Sequence, residues 1–338
     1  MSEGPEFSLI IPVCHGGAFL RDALASVRRL EARRVEVLVV GADSEAVARD
    51  GVEMRYISCG PTDLPTRAAM LNVAWREARG RVLAFTDDDC VLPPDWLAGL
   101  AAGLEGGAGA GIVGGPDAGA AGGAFDAALD WVLQTLVAGG GFRGAAGAGM
   151  GKYYPRLWNM AVPSDVARAV AIRADGAPPQ LFDESLAVHE DVELADRIER
   201  SGRGIAFAPA ARVTHARDTT FGALLRRNFG MARACRRLGV HRMAHRALAA
   251  SVIGAAALAG LAVFLPAARI ALAGCAGAYA MLVLACAAAA TAATRRAAVA
   301  LHVAPILVGL HVARGVGYMV PPRRGRRHAG RGAKNWPG

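Results

Sequence analysis

The chain has 338 residues, 53% of them hydrophobic and 20% charged, with 38 basic residues against 29 acidic ones for a formal net charge of +9. That length and apolar content exclude a disordered chain and leave room for one sizeable α/β domain plus a membrane module. Much of the basic excess lies after residue 225, beside apolar stretches and without an interleaved aromatic platform, so the charge points to phosphate and membrane surface rather than to nucleic acid.

In chain order, residues 7–13 form an apolar, β-rich run that turns at Cys14-His15-Gly16-Gly17. A helix follows from near Ala18, with Phe19, Leu20, Leu24, Val27 and Leu30 at a helical period. Residues 35–40 read as a second strand ending at Gly41-Ala42-Asp43-Ser44, and residues 56–58 as a short third. Residues 65–79 predict a helix carrying Arg67, Asn72 and Trp75, with Gly80 as its cap. Residues 82–85 are apolar throughout, as a buried strand of a parallel sheet requires. Strands alternating with helices imply an α/β fold with an open, mostly parallel sheet.

The fourth strand ends in Asp87, Asp88 and Asp89. Three adjacent carboxylates repel one another, and a divalent cation shared with a substrate diphosphate relieves that repulsion. Mg²⁺ or Mn²⁺ suits them better than zinc, since no His/Cys cluster with metal spacing surrounds the run. The bland alternative is a solvated acidic turn before the helix that starts at Pro93-Pro94-Asp95-Trp96.

These residues resemble family 2 glycosyltransferases, whose nucleotide-sugar-binding fold is called GT-A. The resemblance is carried by Ile11-Pro12-Val13, the helix Arg67-Ala68-Ala69-Met70-Leu71-Asn72, and Phe85-Thr86-Asp87-Asp88-Asp89-Cys90. Downstream it continues through Asn159-Met160-Ala161-Val162-Pro163, Phe182-Asp183-Glu184 and His189-Glu190-Asp191-Val192-Glu193-Leu194, and it spans about residues 7–240. It implies that Asp89 coordinates a metal on the donor diphosphate, with Asp87 on the metal or the ribose. It also implies that Asp191 of the Glu190-Asp191 pair is the general base, and that Pro12, Asp43, Arg67, Asn72, Asp87 and Asp88 line the donor. Inverting transfer agrees, because it needs one carboxylate opposite the leaving diphosphate. Without the upstream aspartates, Glu190 and Asp191 read as an ordinary acidic helix N-terminus. Two positions depart from the family pattern: Gly41 and Ala42 stand where acids are common, displacing Asp43, and His15 replaces a polar residue of the first loop.

His215 follows the strand-like residues 205–207 and is either a further metal ligand or a strand-end histidine bonded to backbone. Arg226, Arg227, Arg233, Arg236 and Arg237 share helical spacing, and their planar forks suit a diphosphate, with Arg226 and Arg227 as donor contacts, or anionic lipid. Residues 247–265 and 270–293 are nearly free of charge and long enough to cross a hydrocarbon core of about 30 Å. Pro266 and Arg269 read as the turn between them. Residues 297–312 carry His302, Pro305 and His311 and read as an interfacial third segment, because two spans put every arginine cluster on one side, with the tail 321–338 disordered.

Residues 101–155 are rich in Gly and Ala, which predicts a mobile loop over the site or a poorly ordered insertion. Trp131, Phe142, Tyr153, Tyr154 and Trp158 flank it as stacking or packing residues. Cys14, Cys59, Cys90, Cys235, Cys275 and Cys286 form no C-x-x-C pair, and no secretory signal opens the sequence, both in keeping with a cytoplasmic domain. The expected protein is a metal-dependent inverting glycosyltransferase, anchored as a multi-pass protein of the cell membrane with its catalytic domain cytoplasmic. Its partners are a nucleotide-sugar donor, membrane lipids, and an acceptor that is a lipid carrier, a glycan or a small metabolite. A processive polysaccharide synthase and a catalytically silent nucleotide-binding scaffold are the alternatives; the first usually carries Gln-x-x-Arg-Trp, absent at Arg226-Arg227-Asn228-Phe229.

Overall fold

The computed structural model describes residues 4–14, 16–32, 34–41, 54–58, 66–107, 109–120, 122–139, 152–217 and 219–321. His15, Asp43, Cys59, the glycine run 140–151 and the arginines of the tail therefore lie outside the described residues. In chain order the elements are β1 (Phe7–Pro12), α1 (Gly17–Val27), β2 (Val35–Gly41), β3 (Met54–Ser58), α2 (Arg67–Glu77), β4 (Val82–Phe85), β5 (Cys90–Val91) and α3 (Trp96–Gly106). Then come β6 (Ala110–Gly114), β7 (Asp117–Gly119), α4 (Ala124–Gln134), α5 (Leu136–Gly139), β8 (Met160–Pro163), α6 (Ser164–Ala169), α7 (Glu190–Arg200), β9 (Gly204–Phe207) and β10 (Val213–His215). The chain ends in α8 (Phe221–Leu238), α9 (Arg242–Ala262), α10 (Pro266–Thr294), a 3₁₀ turn (Ala297–Val299) and α11 (Ala300–Met319).

The chain divides into two compact units, the first from Met1–Ala118 and Phe142–Arg217, the second from Gly119–Gly141 and Asp218–Arg324. The first holds a seven-stranded sheet in the order β3-β2-β1-β4-β8-β6-β9. Its pairs are parallel except at β8, which runs antiparallel to both β4 and β6. Every residue of β1 is buried, because a central strand packed on both faces has no solvent side. Leu9, Ile11, Ala84, Trp96 and Val113 join the same core. A small second sheet, β5-β10-β7, sets the end of β10 beside the residues that follow β4.

Two local expectations change. α2 begins at Thr66, whose Oγ1 accepts the Ala69 N–H at 3.1 Å, and it ends before Gly80. Gly80 serves packing instead: a Cβ there would stand 2.4 Å from the Ser8 nitrogen on β1. Of the Gly/Ala-rich stretch, residues 101–107, 109–120 and 122–139 are described and include part of α3, β6, β7, α4 and α5, and β6 lies inside the central sheet. There the small residues permit close approach. A Cβ on Gly103 would meet Val113 at 2.7 Å, and one on Gly115 would stand 2.1 Å from the Ala211 carbonyl oxygen.

The second unit collects α4, α5 and α8 with the three C-terminal helices. Among the described residues, three stretches are long and apolar enough to cross a membrane: Met243–Ala262, Pro266–Thr294 and Ala297–Met319. The expected turn at Pro266 and Arg269 moves to residues 263–265. Pro266 opens α10, where its missing N–H costs nothing, and the Arg269 guanidinium donates to the carbonyls of Ala262 (2.6 Å) and Val263 (3.1 Å). The third segment runs seven residues past its expected end at 312, to Met319. α11 buries Val303, Ile306, Leu307 and Leu310, and a Cβ on its Gly317 would lie 2.4 Å from the Phe229 carbonyl oxygen of α8.

Candidate active site

The carboxyl end of β4 carries the three aspartates, and each has a different environment. Asp88 is fully buried, and its Oδ2 accepts the N–H groups of Cys14 (3.0 Å) and Gly16 (2.7 Å). It therefore ties the residues after β1 to the end of β4, and Gly16 there takes a φ of 65° open mainly to glycine. Asp87 accepts from Arg67 Nη1 at 3.0 Å, while Nη2 of the same guanidinium lies 2.7 Å from Glu190 Oε1. Arg67 thus ties the start of α7 to the end of β4. Burial raises the Asp87 pKa, opposed by Arg67 and reinforced by Asp89.

Asp89 Oδ2 lies 3.0 Å from His215 Nε2, because β10 runs antiparallel to β5 with His215 opposite Cys90. The donor atoms of Asp89, Cys90 and His215 all fall within 4.8 Å of one another. Burial, then Asp89 and Asp87, hold the Cys90 thiol well above its usual pKa, and sulfur suits a hard cation such as Mg²⁺ or Mn²⁺ less well than oxygen or imidazole nitrogen. The carboxylate and imidazole remain, and His215 Nδ1 is buried with no hydrogen-bond partner among the described residues. This oxygen and nitrogen pair fits a divalent cation such as Mn²⁺ or Mg²⁺.

Glu190 and Asp191 open α7, after His189 in a left-handed conformation (φ 66°). Asp191 is fully buried. Its Oδ1 accepts the Val192 N–H at 2.8 Å, and its Oδ2 accepts the Leu157 N–H at 3.1 Å and faces Arg156 Nε at 3.2 Å. Burial pushes its pKa up, but Arg156, His189, Arg67 and the Leu157 N–H outweigh burial and leave it below the usual carboxylate value. Glu190 Oε2 is buried without a hydrogen-bond partner among the described residues.

The remaining expected residues divide. Pro12 ends β1 and is buried. Asn72 is fully buried with its amide committed: Nδ2 donates to the Phe182 carbonyl and to Glu184, both at 2.9 Å, and Oδ1 accepts from Leu181 (2.8 Å) and Phe182 (2.9 Å). It braces α2 against residues 181–184. Arg226 and Arg227 are exposed residues of α8 in the second unit. The residue that motif reading missed is Arg156. Its guanidinium lies 5.0 Å from the Trp158 ring centre, and that ring lies 4.9 Å from the His215 imidazole. The intervening turn is fixed by Asn159, whose Nδ2 donates to Pro116 (3.0 Å) and Ala211 (2.7 Å) and whose Oδ1 accepts from Trp96. A single arginine 35 residues before its carboxylate leaves no local spacing signal.

Aspartates at the carboxyl edge of a mostly parallel sheet, facing a histidine from a small accessory sheet, are an arrangement of the GT-A fold. The sequence profile of the family described as Glycosyl transferase family 2 matches residues 8–135. The fold is similar to that of a mannosyltransferase from Pyrobaculum calidifontis solved with GDP-Man and Mn²⁺, at a TM-score of 0.61 and 18% identity over 94% of this chain and 88% of that one. Residues 1–349 of S. aureus TarS are also similar, at a TM-score of 0.45 and 16% identity, over 70% of this chain and 64% of that chain. No curated protein matches the sequence.

Proposed function

We propose that this protein is a membrane-anchored inverting glycosyltransferase that moves a sugar from a nucleotide-sugar donor to an acceptor hydroxyl on the cytoplasmic face, with a divalent metal. The observation that carries the reading is the Arg67 bridge from Asp87 to Glu190, which sets the candidate donor carboxylates beside the candidate base. Asp89 and His215 would hold Mn²⁺ or Mg²⁺, which when bound offsets the charge left on the departing diphosphate. Arg67 holds Asp87 toward that side of the site. Asp191 Oδ2 takes the proton of the acceptor hydroxyl as the acceptor oxygen bonds to the sugar carbon and the bond from that carbon to the diphosphate breaks. Because attack and departure lie on opposite faces, one carboxylate suffices and the sugar inverts. Lipid contact is assigned to the three long apolar helices and the arginines around them.

The test is a thermal-shift panel on the detergent-purified chain, with nucleotide sugars, Mn²⁺ or Mg²⁺, and chelator. The mannosyltransferase neighbour makes GDP-mannose with Mn²⁺ the first combination to try. Metal-dependent stabilisation by one donor is expected. A folded sample that no nucleotide sugar stabilises overturns the reading and favours the silent scaffold.

A further inference from the structure

Asp191 has no exposed surface, yet a base must come within about 2.6–3.2 Å of the hydroxyl it deprotonates. Something must therefore leave. Of its three partners, the Val192 N–H belongs to the first turn of α7, and the Leu157 N–H belongs to a turn fixed by Asn159. Only Arg156 is held there by a side chain. That side chain is 22% exposed, and its Nε faces Asp191 while making no well-directed hydrogen bond. The guanidinium already rests over the Trp158 ring, an apolar face on which an arginine can turn without losing its contact.

We propose that Arg156 is the positioning residue of the site: it covers Asp191 Oδ2 when no acceptor is present and turns away over Trp158 to admit the acceptor hydroxyl. This rests on the reading of Asp191 as the base. The other charged or titratable groups around Asp191 are His189 on its own helix, Arg67 on α2 with its partner Glu190, and Tyr153, so charge compensation at Asp191 persists when Arg156 turns. Because Trp158 also lies against His215, the same turn joins the acceptor side of the site to the candidate metal side.

The test measures access to Asp191 directly. The full chain in detergent is treated with a water-soluble carbodiimide and glycine ethyl ester, and labelling of each carboxylate is followed by mass spectrometry. In the wild type, Asp191 is expected to label at least about tenfold more slowly than exposed Glu105, and Arg156→Gln to raise the Asp191 rate about tenfold while leaving Glu193 on the same helix unchanged. Arg156→Lys should restore most of the protection, because the ammonium still reaches the carboxylate. A folded Arg156→Gln with unaltered Asp191 labelling, or one in which Glu193 rises in parallel, overturns the proposal. Should the Gln variant not fold, Arg156→Met, which keeps the stem over Trp158 without the charged head, decides in its place: faster labelling of Asp191 with Glu193 unchanged supports the cover, and wild-type labelling overturns it. The assay needs no turnover, so a failed donor panel with a labelling change sinks only the proposed function, and the reverse result sinks only the cover.

Discussion

His215 Nε2 lies 3.0 Å from Asp89 Oδ2 although 126 residues separate the two in sequence. The pairing sets an imidazole nitrogen beside a carboxylate oxygen, which a divalent cation can share. Mn²⁺ is therefore expected to stabilise the wild-type chain by about 2.7 kcal/mol at a hundredfold excess over its dissociation constant. Asp89→Ala and His215→Ala should each remove most of that gain, while Asp89→Ala also weakens donor binding. Equal Mn²⁺ shifts in melting temperature for the wild type and both variants would place the cation elsewhere.

The metal effect carries a pH signature. Burial raises the Asp87 pKa, so the empty site binds a proton there more readily than the unfolded chain does, and a cation nearby competes with that proton. The sign follows: Asp87 deprotonation costs the empty fold stability as pH rises, and Mn²⁺ recovers it. The Mn²⁺ shift in melting temperature is expected to be larger at about pH 7 than at about pH 5. A shift that is flat or falls across that range contradicts the assignment.

Arg67 compensates two buried carboxylates at once, Asp87 and Glu190. Removing one partner of a buried ion pair costs about 3–5 kcal/mol, because the remaining charge keeps its desolvation penalty. Arg67→Ala is therefore expected to lower stability by about that amount, and adding Glu190→Gln should recover part of it. The check is urea denaturation of the two variants against wild type; a double variant less stable than Arg67→Ala contradicts the bridge.

For Asp191 the direction is the reverse of Asp87. Its folded pKa is depressed, so its charge stabilises the fold at pH above the unfolded value, and that contribution disappears as pH falls through the folded pKa. Asp191→Asn should cost stability at neutral pH, and the cost should shrink below about pH 4. Transfer should fall about 10²–10⁴-fold with donor affinity nearly unchanged. Near-normal turnover in Asp191→Asn would remove it as the base.

The first four strands, the acidic run and the acid pair were legible in the sequence because each is a local pattern of apolar runs or adjacent charges. What was not legible depends on distance. Asp88, Asn72 and Arg67 are residues of the right type that each have a partner 72 to 123 positions away, so sequence supplied candidates for donor contact but not the long-range bonds that hold them. Glycine content misled for a physical reason. The same residue that frees a loop also lets β6, α3 and residues 208–211 meet at backbone distance, and composition alone does not distinguish the two uses.

Arg314 sits within the last long apolar stretch, where an unpaired guanidinium facing lipid would be costly. Its Nε donates to Asn228 Oδ1 at 2.9 Å, and its Nη1 donates to the Ala138 carbonyl. Asn228 in turn donates to the Leu224 carbonyl at 2.9 Å, so α11 is joined to α8 and to the end of α5 by one polar chain. Two groups in one network do not contribute independently. Arg314→Ala and Asn228→Ala should each lower the melting temperature in detergent, and the double variant should fall by less than the sum of the two. Strict additivity would mean that the two side chains hold α11 by separate means.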